Sequence, residues 1–236
     1  MKNALLALGL SLAVTPPGGA AVIIPLTNPG FEDDDVPVDT YTSSSTRPVG
    51  WPDGAGSSYI ADGTVFSLNG IPGAHGGDQY MVLAGGGSNI RQDTSLAWSS
   101  AQVGDVFTIS TWATSRSDIE PGTITFWIND TDQSNFLHSQ NFGVIEGSLS
   151  ETPGTWSLIS WSYTVTEEAL NAAASGSWDA VEIGFGHTGG GQTAFDDITF
   201  TYTPIPEPST LLGSVILAGG MLLRRRRQPI SELQQV

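Results

Sequence analysis

The sequence predicts an all-β protein, an antiparallel β-sandwich or jelly roll, and three observations support this fold class. Apolar and polar residues alternate along much of the chain between residues 22 and 203, a period of two that is typical of strands with one buried face. Clusters of Gly, Asp, Ser and Pro interrupt the alternation often enough for about eight to ten strands. Only Glu167 to Ala174 has a helical composition, and it is about two turns long.

The predicted strands lie where apolar residues recur at every second position. In the segment 180–185, for example, Val181, Ile183 and Phe185 fall on one face, which is the face expected to be buried. The same pattern predicts the following strands, in chain order: 22–27, 79–83, 89–92, 106–113, 123–129, 156–165, 180–185 and 195–202.

Residues 1–21 have the organisation of a cleavable secretory signal peptide. Lys2 gives a positive start, an apolar stretch runs from Ala4 to Val14, and the small residues Ala20 and Ala21 follow. The apolar stretch is too short to span a membrane but suits the central region of a signal peptide. We therefore expect export, with a mature domain that begins near residue 22.

The last part of the chain combines a tripeptide, an apolar segment and a basic cluster. In order, these are Pro206, Glu207 and Pro208, then residues 211–223, then Arg224, Arg225, Arg226 and Arg227. A basic cluster after an apolar segment keeps that end of the segment in the cytoplasm. The apolar run predicts a single short hydrophobic helix of about 20 Å, against a hydrocarbon core of about 30 Å. Such a helix holds a chain at the membrane but is a marginal permanent anchor.

These three features, in this order, resemble the PEP-CTERM sorting signal of exported bacterial proteins. The resemblance assigns residues 204–227 to the sorting signal and 228–236 to a short tail. It implies an exosortase-type enzyme as a partner, transient contact of 211–223 with the inner membrane, and delivery to the cell surface or extracellular matrix. The alternative is an ordinary tail anchor in which Pro-Glu-Pro is a stiff linker, and the tail at 228–236 leaves open whether cleavage occurs.

The region between the two ends is strongly acidic. From residue 22 to residue 208 it carries 23 Asp and Glu against Arg47, Arg91 and Arg116, a net charge of −20. Such a surface repels nucleic acid and anionic lipid headgroups, so nucleic-acid binding is excluded. The chain has no cysteine, which also excludes disulfides, thiolate metal sites and cysteine nucleophiles.

The body contains short motifs in a defined order. They are Thr27-Asn28-Pro29-Gly30-Phe31-Glu32, Gly50-Trp51, Gly76-Gly77-Asp78-Gln79-Tyr80, Ile90-Arg91-Gln92, Val103-Gly104-Asp105-Val106, Thr155-Trp156 and Phe195-Asp196-Asp197-Ile198. This order resembles the galactose-binding-like jelly roll of many carbohydrate-binding modules. The resemblance implies that residues 22–203 form a β-sandwich that binds a ligand rather than catalyses a reaction. It also implies a structural Ca²⁺ held by Glu32 and Asp196.

Alternation supports part of the calcium expectation. Asp196 falls on the face of Ile198 and Phe200, which points inward, whereas Asp197 points outward. A buried carboxylate needs a partner, and Ca²⁺ accepts a mixture of carboxylate and backbone oxygens. The alternative is that Asp196 caps a turn or accepts backbone N–H groups.

The seven tryptophans raise the question of sugar stacking, because an aromatic face packs against the apolar face of a pyranose. Most of them are expected in the core, but Trp127 lies on the opposite face from Ile124, Phe126 and Ile128. It is therefore the candidate ligand platform, either facing solvent or packed beneath a loop. The sequence contains no GxSxG or HExxH motif of a catalytic centre.

The sequence thus predicts an exported, non-catalytic carbohydrate-binding or structural module, with extracellular polysaccharide as the expected ligand. One alternative is a secreted glycan hydrolase or lyase on the same scaffold, which two facing carboxylates about 5 to 9.5 Å apart would favour. The other is a tail-anchored structural surface protein without a ligand, which a surface lacking both a groove and an exposed aromatic residue would favour.

Overall fold

Antiparallel strands dominate the computed structural model, which describes residues 19–42, 47–116, 123–130, 142–148, 154–176, 179–188 and 191–205. The strands described are β1 (Val22–Ile24), β2 (Asp53–Asp62), β3 (Gln79–Ala97), β4 (Val106–Ser115), β5 (Thr123–Asp130), β6 (Phe142–Ser148), β7 (Ser157–Thr164), β8 (Ala180–Thr188) and β9 (Gln192–Thr203). One α-helix, α1 (Glu167–Gly176), and two short 3-10 turns, Ser67–Asn69 and Trp98–Ser100, connect them. The predicted all-β fold class is confirmed.

The structure leaves the two ends of the chain undescribed. Ala20–Pro204 forms one compact unit, and a second unit, made of 1–19 and 205–236, lies almost wholly outside the described residues. The proposed signal peptide at 1–21, apart from its last residues, and the sorting motif from Pro206 to Arg227 therefore lie outside them as well. Within the described part of the chain, no helix is long and apolar enough to cross a membrane.

The long strand β3 belongs to both layers of the fold. Its first part, Met81 to Ala84, pairs with β9, and its second part, from Ser88 onward, pairs with β8. Between them lie Gly85 and Gly87, with φ of 77° and 83°, a backbone conformation that favours glycine. The sheet order is β6-β5-β8-β3-β9-β4-β7, with β2 also on β3 and β1 also on β9. We call β6, β5, β8 and the second part of β3 layer A, and the first part of β3 with β9, β4 and β7 layer B.

The core lies between these two layers. Phe185 of β8 and Phe195 of β9 belong to different layers and are not paired in the sheet, yet their ring centroids are 6.0 Å apart. Trp51 fills the same core with its ring 5.7 Å from Phe185, and its Nε1 donates a hydrogen bond to the carbonyl of Asn28 at 3.2 Å. The predicted inward residues of β5, Ile124, Phe126 and Ile128, are buried as expected.

A second, smaller apolar cluster covers the outer side of layer B. It contains Tyr80 and Val82 of β3 and Ala194 of β9, with Ile71 and Trp156 packed over them. β3 is apolar on both sides at this point, and the segment between β2 and β3 packs against its outer side through Ile71. That segment carries the first candidate site.

Candidate functional sites on the two sheet layers

Asp196 lies at a β-bulge in β9. Ser110 of β4 pairs with Thr199 but Trp112 pairs with Asp196, so β9 carries one more residue than β4 there, and Asp197 has a φ of 49°. The bulge places Asp196 in register with Trp112, on the outer side of layer B. The predicted burial of Asp196 is confirmed at 0 % exposure, but the prediction that it shares the face of Ile198 is wrong, because the bulge shifts the alternation.

The Asp196 carboxylate holds the backbone of the segment before β3. Its Oδ2 accepts hydrogen bonds from the N–H groups of His75 at 2.8 Å and Gly76 at 3.0 Å, and its Oδ1 accepts one from Asp197 at 2.7 Å. Burial raises the pKa of Asp196 to about 7, and the nearby Asp197 carboxylate acts in the same direction, although the backbone donors oppose it. Asp196 thus accepts hydrogen bonds from backbone N–H groups, which is the alternative to metal binding that the sequence left open.

Glu32 holds the same segment from another side. Its Oε1 accepts hydrogen bonds from the N–H groups of Asp78 at 3.0 Å and Gln79 at 2.8 Å. Gly77 has a φ of 61°, and a Cβ atom there would collide with the Glu32 carboxylate. The two predicted calcium ligands, Glu32 and Asp196, therefore bind neighbouring parts of one segment. Asp196 accepts from residues 75 and 76, and Glu32 accepts from residues 78 and 79. Among the residues that the structure describes, no group of three His, Cys, Asp or Glu side chains is placed to hold a metal ion.

His75 completes this first site. Its Nδ1 lies 2.7 Å from Oδ2 of Asp197, and its ring stacks on Trp112 with centroids 3.9 Å apart and an interplanar angle of 14°. The carboxylate fixes the orientation of the imidazole, so the contacts hold both the segment and its histidine in place. Sequence reasoning missed His75 because the contact depends on a pairing between distant parts of the chain.

The second site is the outer side of layer A, where strand register brings polar residues together. Directly paired residues in antiparallel strands point to the same side of a sheet. Arg91 of β3 pairs with Gly184 of β8, and Gly184 pairs with Trp127 of β5. These three residues therefore form one cross-strand row on the side away from the Phe185 core. The candidate platform Trp127 occupies the end of that row by register, and its side chain lies outside the described residues.

The next row of this side adds two carboxylates. Asp93 pairs with Glu182 across β3 and β8, and Arg91 Nη1 lies 3.5 Å from Oε1 of Glu182. Arg91 and Glu182 are only 6 % and 1 % exposed, whereas Asp93 is exposed. A buried ion pair seldom stabilises a fold more than apolar residues of similar size. This pair lies on the side of layer A away from the Phe185 core, which makes that side a functional candidate. In the sequence, the signal that could have indicated this site is the presence of charged residues inside strands that otherwise alternate apolar and polar residues.

A cavity of about 340 Å³ lies elsewhere, beside α1. Its lining includes Trp98, Leu170 and Ala173, with Asp179 as its ionisable residue. It contains none of the residues predicted from the sequence to bind a ligand.

No family model matches the chain, and no curated protein matches it. Among solved structures, an apo-form cyclase from Fischerella sp. aligns at 16 % identity over 79 % of this chain and 98 % of its own, with a TM-score of 0.58. A Stig cyclase from Fischerella sp. TAU in complex with an indole compound aligns at 14 % identity over 79 % and 100 %, with a TM-score of 0.57. A carbohydrate-binding module in complex with β-1,4-galactotriose has a TM-score of 0.42 at 16 % identity over 75 % and 97 %. At these sequence identities, the similarity to the cyclases shows that this chain shares their fold and nothing further.

Proposed function

We propose that this chain is an exported, non-catalytic module that binds a neutral polysaccharide at the cell surface or in the extracellular matrix. The observation that carries the proposal is the buried Arg91–Glu182 pair on the outer side of layer A, in register with Trp127. An arginine and a carboxylate provide fixed hydrogen-bond donors and acceptors with no net charge between them. Because both members are buried, the pair holds this side of the sheet in place and does not itself contact a ligand. An aromatic ring in register with it suits the apolar face of an uncharged sugar.

Polysaccharide binding is tested with matched tryptophan variants of the full chain. We expect Trp127→Ala to weaken binding to soluble neutral glycans at least tenfold, which corresponds to about 1.4 kcal/mol. Trp112→Ala is the control, because Trp112 is a partly exposed tryptophan on the outer side of layer B. Isothermal calorimetry against a panel of neutral and acidic polysaccharides measures both. An absence of binding by the wild-type chain contradicts the proposal and favours the structural protein without a ligand.

The hydrolase or lyase alternative has one observation in its favour. Asp93 and Glu182 are directly paired across two strands, and the Cβ atoms of such residues lie about 4.5 to 5.5 Å apart. Retaining glycosidases place their two carboxyl groups about 5 to 5.5 Å apart, and neighbouring Cβ atoms are compatible with such a separation, although Glu182 is buried. In the proposed binding module, no glycan is shortened on prolonged incubation. Release of reducing ends or unsaturated sugars that disappears in Glu182→Gln would establish the enzyme instead.

A structural Ca²⁺ at Glu32 and Asp196 is part of the same proposal. The oxygen-rich surroundings support it: beside Gly30, an ideal Cβ would lie 3.5 Å from Oδ1 of Asp197 and 3.7 Å from Oδ1 of Asp196. Carboxylate oxygens are hard ligands of the kind that Ca²⁺ prefers, and the raised pKa of Asp196 marks a buried charge that a cation would stabilise. We expect EDTA to lower the melting temperature and added Ca²⁺ to restore it. An unchanged melting curve contradicts the calcium site.

The proposed route to the surface is tested separately. Pro206, Glu207 and Pro208 are replaced together by alanine, and cells with either form are fractionated. In the wild type, we expect loss of the segment that carries Arg224 to Arg227, seen as a smaller mass of the mature protein. The variant keeps that segment and stays in the membrane fraction. Equal location and equal mass for both forms contradict sorting by an exosortase-type enzyme and favour a plain tail anchor.

A further inference from the structure

Strand β7 is an edge of layer B. Among the described strands it pairs with β4 alone, over eight residues from Ser157 to Thr164 in one continuous register. Five of these eight residues are exposed, including Leu158 at 58 %. An edge strand has a row of backbone N–H and C=O groups on its open side, which is a template for pairing with another strand.

The other edge strands carry features that hinder such pairing. β1 is only three residues long, and the register of β2 is broken by a bulge between Ala55 and Ser57. The register of β6 against β5 is also irregular, and its sequence contains Glu146. Short length, bulges and charges are the usual protection of sheet edges. β7 has none of them, since its sequence SLISWSYT contains no charged residue and no proline.

The sheet surface next to β7 is also uncharged. Strand register places hydroxyl residues of β7, β4 and β9 side by side on the outer side of layer B: Ser160, Ser162, Thr164, Thr108, Ser110, Thr199, Thr201 and Thr203. The body as a whole has a net charge of −20, and like charge keeps copies of a protein apart. Among the described residues, β7 and this hydroxyl surface therefore form a place where two copies can approach with little repulsion.

We propose that β7 is the interface at which a second copy of this chain adds to the sheet. The two β7 strands pair antiparallel about a two-fold axis, so that each copy offers the same surface to the other. Layer B then continues from one copy into the next, and the open backbone groups of β7 are paired. Because the rest of the surface repels, salt strengthens the association by screening that repulsion.

Matched pairs of lysines test the geometry of this interface. Ser160→Lys with Ser162→Lys places two charges on the edge strand, where each faces its counterpart in the second copy. The control is Thr199→Lys with Thr201→Lys on β9, which occupy the same two cross-strand rows but lie two strands further inside. The full-length chain and both variants are compared in a non-ionic detergent by light scattering, at about 0.05 M and about 0.5 M NaCl.

We expect the wild type to form a dimer whose dissociation constant falls at the higher salt concentration. The β7 variant raises that constant at least tenfold, and the β9 variant leaves it within about twofold. A monomeric wild type at both salt concentrations overturns the proposal, as does a β7 variant that dimerises normally. Equal loss in both variants overturns strand addition and indicates that the hydroxyl surfaces stack face to face. If the β7 variant is misfolded by circular dichroism, amide exchange of the wild type decides: β7 amides must gain protection as protein concentration rises.

Discussion

Replacing Asp196 with asparagine isolates the energetic cost of one buried carboxylate. The side chain is fully buried, and burial raises its pKa to about 7. An aspartate in an unfolded chain has a pKa of about 3.9. Between these two values, the folded state holds a proton that the unfolded state has lost. The stability that Asp196 contributes is therefore fully present below the unfolded pKa and is lost as pH rises through the folded pKa.

The difference in unfolding free energy between the wild type and Asp196→Asn gives the magnitude. As pH rises, the wild type loses stability relative to the variant by about 1.4 kcal/mol for each pH unit well below the folded pKa. The loss is about 2 kcal/mol from pH 5 to pH 7, and the difference is level above about pH 8. Urea unfolding at four pH values, in EDTA, measures it. His187 titrates in the opposite sense, since burial lowers its pKa, but its effect is common to both proteins and cancels in the difference.

The asparagine itself adds an offset that does not depend on pH. Its amide nitrogen replaces one of the carboxylate oxygens that accept the N–H groups of His75, Gly76 and Asp197, at a cost of about 1 to 3 kcal/mol. The test therefore depends on the slope and not on the absolute values. A difference that stays constant from pH 5 to pH 8 refutes the reasoning, because the carboxylate would then titrate alike in the folded and unfolded chains.

Three substitutions test the packing around this site and the core. Gly77→Ala should cost about 1 to 3 kcal/mol, because the new Cβ meets Glu32 at a backbone φ of 61°. Gly85→Ala has a similar φ of 77° but no atom within 4 Å, so it should cost only about 1 to 2 kcal/mol of backbone strain; equal or reversed losses in urea unfolding contradict the contact with Glu32. Trp51→Ala should cost about 3 to 5 kcal/mol, because a fully buried ring is lost, and a smaller loss on thermal unfolding indicates that the core refills the space.

Strands with one buried and one exposed side were predictable from the sequence, whereas strands buried on both sides were not. β4, β5, β7, β8 and β9 alternate clearly, and the prediction found them. β2 does not, because Ile60 packs in the main core while Ala61 and its neighbours pack in the smaller cluster on the other side. The prediction also divided β3 in two, because glycines interrupt the pattern where the strand passes from one layer to the other.

The candidate sites show the same division between local and non-local information. The burial of Asp196 was predictable, but its direction was not, since a bulge depends on the pairing of β9 with β4. Arg91 and Glu182 are each visible as a charge within an apolar strand. Their contact follows only from the pairing of β3 with β8, which a sequence pattern with a period of two does not contain.

The central position of β9 determines when this chain can fold. β9 pairs with β1, β3 and β4, so it joins the first strand to the middle of the sheet. At about 5 to 20 residues per second, Phe200, which is the partner of Ile24, leaves the ribosome roughly 9 to 35 s after it. Until then layer B cannot close and its apolar face is open to other chains. The fold is therefore completed only after nearly the whole domain has been made, and a nascent chain shorter than this has no partner for β1.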